Sequence, residues 1–220
     1  EALGARIDLA PDAVAQCIER VGVGFMFAPA HHPAFRHIGP VRTALGVRTI
    51  FNLLGPLTNP AGVRRQVIGV SDPAFVERIA GALAELGAEH ALVVSSEDGM
   101  DEISTSAPTN VAEVTSAGVR TWRIDPGTLG IDPAIEAHIV GGESADNAAV
   151  IVAALESGTG AAADLIALNA AAAIFVSGRA TTIEDALTAA RESISSGGAR
   201  ARLAQFVAVT NELAPARQED

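Results

Sequence analysis

The chain of 220 residues is long enough for one large domain or two small ones, and 49% hydrophobic residues, many of them Ala, supply a core rich in small side chains. A formal net charge of -11 with no basic stripe argues against nucleic-acid binding, which needs Lys and Arg clustered against phosphate. The single Cys17 excludes an intramolecular disulfide and a cysteine-built zinc cage, and no apolar run reaches the length of a membrane span.

Glu1 stands where an initiator Met would, and EALGARID reads as the middle of an element, so the chain is expected to be the C-terminal portion of a longer protein. Residues 11–21 have helical periodicity, with Val14, Cys17, Ile18 and Val21 on one face, which assigns Cys17 to the core. Residues 23–27 read as a short strand leading into an unusual segment.

That segment, residues 27–60, compresses five prolines, three glycines, three histidines and three arginines around two short apolar runs. Pro29, Pro33 and Pro40 each fix φ and push the preceding residue out of the helical region, so the chain is cut into short pieces. Two short helices fit between the breaks, at residues 41–45 and 47–54, with Gly46 capping the first. Gly55-Pro56 ends the second, and Asn59-Pro60 favours a further turn.

Residues 65–70 predict a strand, and Asp72-Pro73 opens a helix to about Leu86 with Asp72 as its N-cap. Residues 90–95 form the next strand, and strand, helix and strand in this order imply parallel pairing. Residues 109–115 and 119–124 alternate around Ser116-Ala117-Gly118 and read as a hairpin at or near a sheet edge, with Trp122 as a packing residue. From Ala145 the chain turns helical, and Gly158, Gly178 and Gly197-Gly198 separate four segments that end near Thr210. The last seven residues are expected to fray, and no repeat of solenoid spacing occurs.

Few residues offer chemistry. SSEDGMDEIS, residues 95–104, places Glu97, Asp98, Asp101 and Glu102 directly after a predicted parallel strand, where open α/β sheets bind their ligands. The spacing lacks the alternation of a calcium loop, whereas magnesium commonly binds through one or two carboxylates plus phosphates and water. The residues alone leave a solvated acidic turn and a magnesium site both open. Arg42, on a short helix beside a proline-shaped wall, could grip a carboxylate through two parallel hydrogen bonds or lie on the surface. His31 and His32 lack a third ligand at helical spacing and are not read as a metal pair. Arg36, Arg48 and Asn59 are weaker candidates for the site, read first as holding the segment's own fold. Gly158-Thr159-Gly160 follows a helix, not a strand, and is rejected as a phosphate loop.

HHPAFRHIGPVRTALGVRTIFNLLGPLTNPAGVRRQVIGV, followed by GMDEIS, closely resembles the anthranilate phosphoribosyltransferase family, and LNAAAA at residues 168–173 matches as well. The resemblance implies an α/β fold: a mostly parallel sheet with flanking helices, the large domain of the nucleoside phosphorylase/phosphoribosyltransferase fold, plus a short helical segment of a small α domain. It divides the chain into residues 1–33, the start of the large domain; 34–58, the small helical domain; and 59–220, the phosphoribosyltransferase domain. By the same resemblance, Arg42 contacts anthranilate, His32 and Pro56 line its tunnel, and Asp101 with Glu102 hold Mg²⁺ against the diphosphate of phosphoribosyl diphosphate. A cytoplasmic homodimer of the complete protein, without nucleic acid or membrane, is implied too.

The sequence departs from the family in three places. The glycine-rich Gly-Thr-Gly-Gly-Asp loop and the His-Gly-Asn segment do not occur, so this chain alone is expected to be inactive. Its face of Val41, Leu45, Ile50 and Leu53 would then lack part of its packing. Ala163 stands before Asp164 where the family usually has Arg, away from the proposed ligands. Two other readings stay open: a pyrimidine nucleoside phosphorylase, against which VRTALG and GPLTNP argue, and a non-catalytic binding module of the same fold.

Overall fold

The structure, a computed structural model, describes residues 1–31, 55, 57–133 and 142–215. The predicted helices at residues 41–45 and 47–54 lie outside the described residues, as does the face of Val41, Leu45, Ile50 and Leu53. The first helix, α1 (Pro11–Val21), begins with Pro at its first turn and stops at Gly22, whose left-handed conformation lets its N–H reach the Ile18 carbonyl. A single turn, α2 (Ala28–His31), follows.

Among the described residues one sheet of four strands forms, in the order β1 (Arg65–Gly69), β2 (His90–Ser96), β3 (Thr109–Thr115) and β4 (Gly118–Ile124). β1 and β2 are parallel, with Val67 opposite Leu92. Their crossover carries a 3₁₀ turn at Pro73–Phe75 and then α3 (Val76–Glu85), so the helix predicted from Pro73 starts one turn tighter than α. Asp72 caps it as expected, its carboxylate accepting from the Ala74 N–H at 3.0 Å.

β2 pairs antiparallel with β3, and β3 with β4. The sheet is therefore mixed: one of its three ladders is parallel, and a hairpin supplies the other edge. The α/β class holds, while the mostly parallel sheet reduces, among the described residues, to the β1–β2 pair. The link between β3 and β4, residues 116–117, is long enough only for a hairpin, and the 97–108 loop returns the chain against β2 without forming a crossover helix.

Residues 23–27 form no ladder, which corrects the strand expected there. Val23, Phe25 and Phe27 are exposed at 42, 48 and 38%. Alternation identifies a two-sided segment, but a strand also needs a neighbour for its backbone groups, and no described strand lies alongside.

Four helices follow among the described residues: α4 (Ser144–Ser157), α5 (Ala161–Ser177), α6 (Ile183–Ser195) and α7 (Gly198–Leu213). Gly158 and Gly178 end α4 and α5 with φ of 66° and 81°, values that side chains with a Cβ rarely adopt. The period-two alternation of β2 sends Leu92 and Val94 to one face and Ala91 and Val93 to the other. The first face packs on α5 and α6 through Ala167, Leu168, Ala171, Ala172 and Leu187, and the second on α3 through Ile79, Ala80 and Leu83. Small side chains let α5 approach the sheet closely, as the alanine content anticipated. Cys17 is fully buried between α1 and α7, in a cluster that includes Leu9, Val14, Phe206 and Val209.

No helix among the described residues is by itself long and apolar enough to cross a membrane. α4 and α5 bend by 83° at their junction.

Candidate active site

The parallel pair β1–β2 ends beside the acidic loop, residues 97–108. Ser96 turns the chain back: its carbonyl accepts from the Gly99 N–H at 3.1 Å, and its own N–H donates to the Met100 carbonyl at 3.0 Å. Inside that turn the Asp98 carboxylate accepts from the Met100 N–H at 3.2 Å and from the Ser104 hydroxyl at 2.5 Å. Thr109 Oγ1 accepts from the Ser104 N–H at 3.2 Å, and the Ser104 hydroxyl oxygen accepts from the Ser106 N–H at 2.9 Å. The loop is thus braced through its own backbone.

The four carboxylates separate into two kinds. Glu97 pairs with Arg123 on β4 at 2.5 Å, and Asp98 is consumed by the turn. Asp101 and Glu102 are exposed, and no basic side chain among the described residues pairs with either. Partial burial raises the Glu102 carboxyl above its ordinary range, and the adjacent Asp101 charge raises it further. Two neighbouring carboxylates without a counter-charge are a donor set that a divalent cation completes, the remaining positions going to water and phosphate. No group of three or more His, Cys, Asp or Glu suited to a metal occurs among the described residues, so an all-protein cage is not what this loop builds.

Two residues outside the loop fix the pair. The Asn169 side chain, on α5, accepts from the Ile103 N–H at 2.9 Å and donates to the Ile103 carbonyl at 2.9 Å. At the end of β1, a Cβ added to Gly69 would lie 1.5 Å from the Asp101 carbonyl oxygen, so only glycine leaves room for the loop. Gly69 also lines a cavity of about 350 Å³ with Met26, Gly55, Asn59, Pro60, Gln66, Val67 and Ile68. The proline-rich motif thereby reaches the same strand end as the acidic loop. Asn59 holds its own turn, accepting from the Ala61 N–H at 2.9 Å, in line with its assigned role.

Of the predicted site residues, Asp101 and Glu102 sit side by side on the braced loop. His32, Arg42 and Pro56 lie outside the described residues, as do Arg36 and Arg48. Gly69 and Asn169 had no role assigned from the sequence, although both fall in matching segments, QVIGV and LNAAAA.

At the β4 edge, Trp122 packs on the core, and its indole N–H donates to Glu113 at 3.0 Å, as befits a packing residue. Asp164 is engaged by Arg191 at 3.0 Å, so the Ala163 departure leaves that carboxylate paired. Gly158-Thr159-Gly160 is the link between α4 and α5.

Residues 1–200 match the model of the glycosyl transferase family, a/b domain. Anthranilate phosphoribosyltransferase of Azorhizobium caulinodans is 49% identical over 97% of this chain and 62% of its own length. The crystal structure of anthranilate phosphoribosyltransferase from Thermus thermophilus superposes with a TM-score of 0.85 at 39% identity, covering 96% of this chain and 62% of that one. The Saccharomyces cerevisiae enzyme in complex with PRPP and Mg gives a TM-score of 0.86 at 25% identity, covering 96% of this chain and 61% of that one. The chain thus spans about 62% of the length of the curated relatives it matches. With residues 1–200 matched by the family model and the fold shared with the solved relatives, the chain belongs to the glycosyl transferase family whose α/β domain this is.

Proposed function

We propose that this chain is the larger part of an anthranilate phosphoribosyltransferase, which transfers the phosphoribosyl group of phosphoribosyl diphosphate to anthranilate in tryptophan biosynthesis. The observation that carries the reading is the Asp101–Glu102 pair, exposed and without a basic partner among the described residues, on a hydrogen-bonded loop at the carboxyl ends of β1 and β2. Relatives of that name, 49 and 50% identical over 97% of the chain, support it.

In the reaction the anthranilate amine forms a bond to C1 of the ribose as the bond from C1 to the diphosphate oxygen breaks. The amine loses a proton, and N-(5-phosphoribosyl)anthranilate and diphosphate are the products. Mg²⁺, when bound, stabilises the charge on the leaving diphosphate. Asp101 and Glu102 would hold it, and Arg42 would anchor the anthranilate carboxylate with His32 and Pro56 beside it. Much of the rate comes from holding amine and C1 together, which removes the entropic cost of encounter. The division into residues 1–33, 34–58 and 59–220 belongs to this reading, as does a cytoplasmic homodimer. The net charge of -11 supports the absence of a nucleic-acid partner.

The test is formation of phosphoribosyl anthranilate by the full-length protein with and without Mg²⁺, alongside its Arg42→Ala variant. Arg42→Ala should raise the anthranilate KM. Isothermal titration of Mg²⁺ should show tighter binding with phosphoribosyl diphosphate present. Equal affinity without it, or an unchanged KM, would count against the assigned roles. The same preparation in light scattering tests the dimer.

A further inference from the structure

We propose that Asn169 is a positioning residue for the Asp101–Glu102 pair, acting through the main chain of Ile103 while Gly69 supports the same pair from the end of β1. The inference rests on the magnesium reading above and adds two residues to it.

The Ile103 N–H belongs to the peptide that follows Glu102, and the Ile103 carbonyl belongs to the next one. By bonding both at 2.9 Å, the Asn169 amide fixes the orientation of the chain at the point where it leaves the carboxylates. A third bond, from Asn169 Nδ2 to the Leu165 carbonyl at 3.1 Å, locks the amide on α5. The Ile103 side chain is fully buried in the core, so this end of the loop cannot slide. On the other side Asp101 rests against the Cα of Gly69, and an alanine there would force a withdrawal of about 1.5 Å to restore a 3.0 Å contact. A site of this kind tolerates only about 0.5 Å of misplacement.

The probe is Mn²⁺, titrated into the full-length protein in the presence of phosphoribosyl diphosphate and read as free Mn²⁺ by electron paramagnetic resonance. Asn169→Asp keeps the shape of the side chain but removes the donor to the Ile103 carbonyl, and Gly69→Ala presses on Asp101. Both should weaken Mn²⁺ about tenfold, the low end for residues that orient metal ligands, and Asn169→Asp should do so with the anthranilate KM unchanged. A purely structural role would lower the melting temperature but leave the Mn²⁺ affinity of the folded fraction alone, and that result overturns the proposal. Asp101→Asn is the comparator. If it too keeps full Mn²⁺ affinity, the magnesium reading fails and the positioning role with it; if only Asp101→Asn loses Mn²⁺, the positioning role alone fails. Should neither positioning variant fold, hydrogen exchange at the Ile103 amide of the unaltered protein decides: slowing on addition of Mn²⁺ and phosphoribosyl diphosphate supports the coupling, and no change refutes it.

Discussion

Ser104 donates its hydroxyl to the Asp98 carboxylate at 2.5 Å across the base of the acidic loop. Burial by itself would raise the Asp98 carboxyl, but the hydrogen bonds from Ser104, Ser96 and the backbone N–H groups of Met100 and Asp98 together outweigh it and leave it below the usual range. A carboxyl depressed on folding contributes stability that is full above its unfolded value, near pH 4, and lost as pH falls through the lower folded value. Ser104→Ala should cost about 1–2 kcal/mol at pH 7. Its deficit relative to the unaltered protein should shrink below about pH 4, as followed by urea unfolding at several pH values.

Glu113 on β3 is buried and accepts from His90 Nε2 at 2.9 Å, Trp122 Nε1 at 3.0 Å and the Arg120 guanidinium at 2.7 Å. Removing it strands the His90 and Trp122 donors, whereas the largely exposed Arg120 is rehydrated. Glu113→Ala should therefore destabilise by about 3 kcal/mol, the low end for breaking a buried pair. Denaturant unfolding at constant m-value is the measurement.

Ala171 on α5 is fully buried, in the cluster that includes Leu92, Leu168 and Leu187. Ala171→Leu should destabilise by about 1–3 kcal/mol through overpacking, although it adds apolar surface. Thermal unfolding of the pair would show whether close approach, not apolar area, limits this interface.

Cys17 is fully buried, and burial holds its thiol above the ordinary range. Ellman's reagent should leave this thiol unmodified in the folded protein and modify it at the rate of unfolding in denaturant. Rapid labelling without denaturant would contradict the packing of α1 on α7.

Partial burial and the adjacent Asp101 charge both disfavour the ionised Glu102 carboxyl. Glu102→Gln should therefore raise the stability of the protein in EDTA while weakening Mn²⁺ binding. After solvent screening the gain is at most about 0.5 kcal/mol, or about 1–2 °C in Tm. A loss of stability would mean that the Glu102 carboxylate is held by the fold.

Much of this protein follows from local sequence rules. Gly158, Gly178 and Gly197 separate the C-terminal helices where expected, because a left-handed residue ends a helix whatever surrounds it. Asp72-Pro73 opens the crossover, and alternation around Ser116 and Ala117 gives the hairpin, since both depend on dihedral preference and periodicity within a few residues. The resemblance assigned His32, Arg42, Pro56, Asp101 and Glu102 together, and of these Asp101 and Glu102 lie among the described residues. Which carboxylates are engaged within the fold was not legible: Glu97 is neutralised by Arg123, 26 residues away, and the β3–β4 hairpin brings them together. Asn169 reaches Ile103 across 66 residues, and Gly69 meets Asp101 only once β1 and β2 lie side by side. Residues 23–27 mark the same boundary from the other direction: their alternation specifies two faces, but a strand exists only where a neighbour accepts its backbone hydrogen bonds, and that neighbour is a property of the fold.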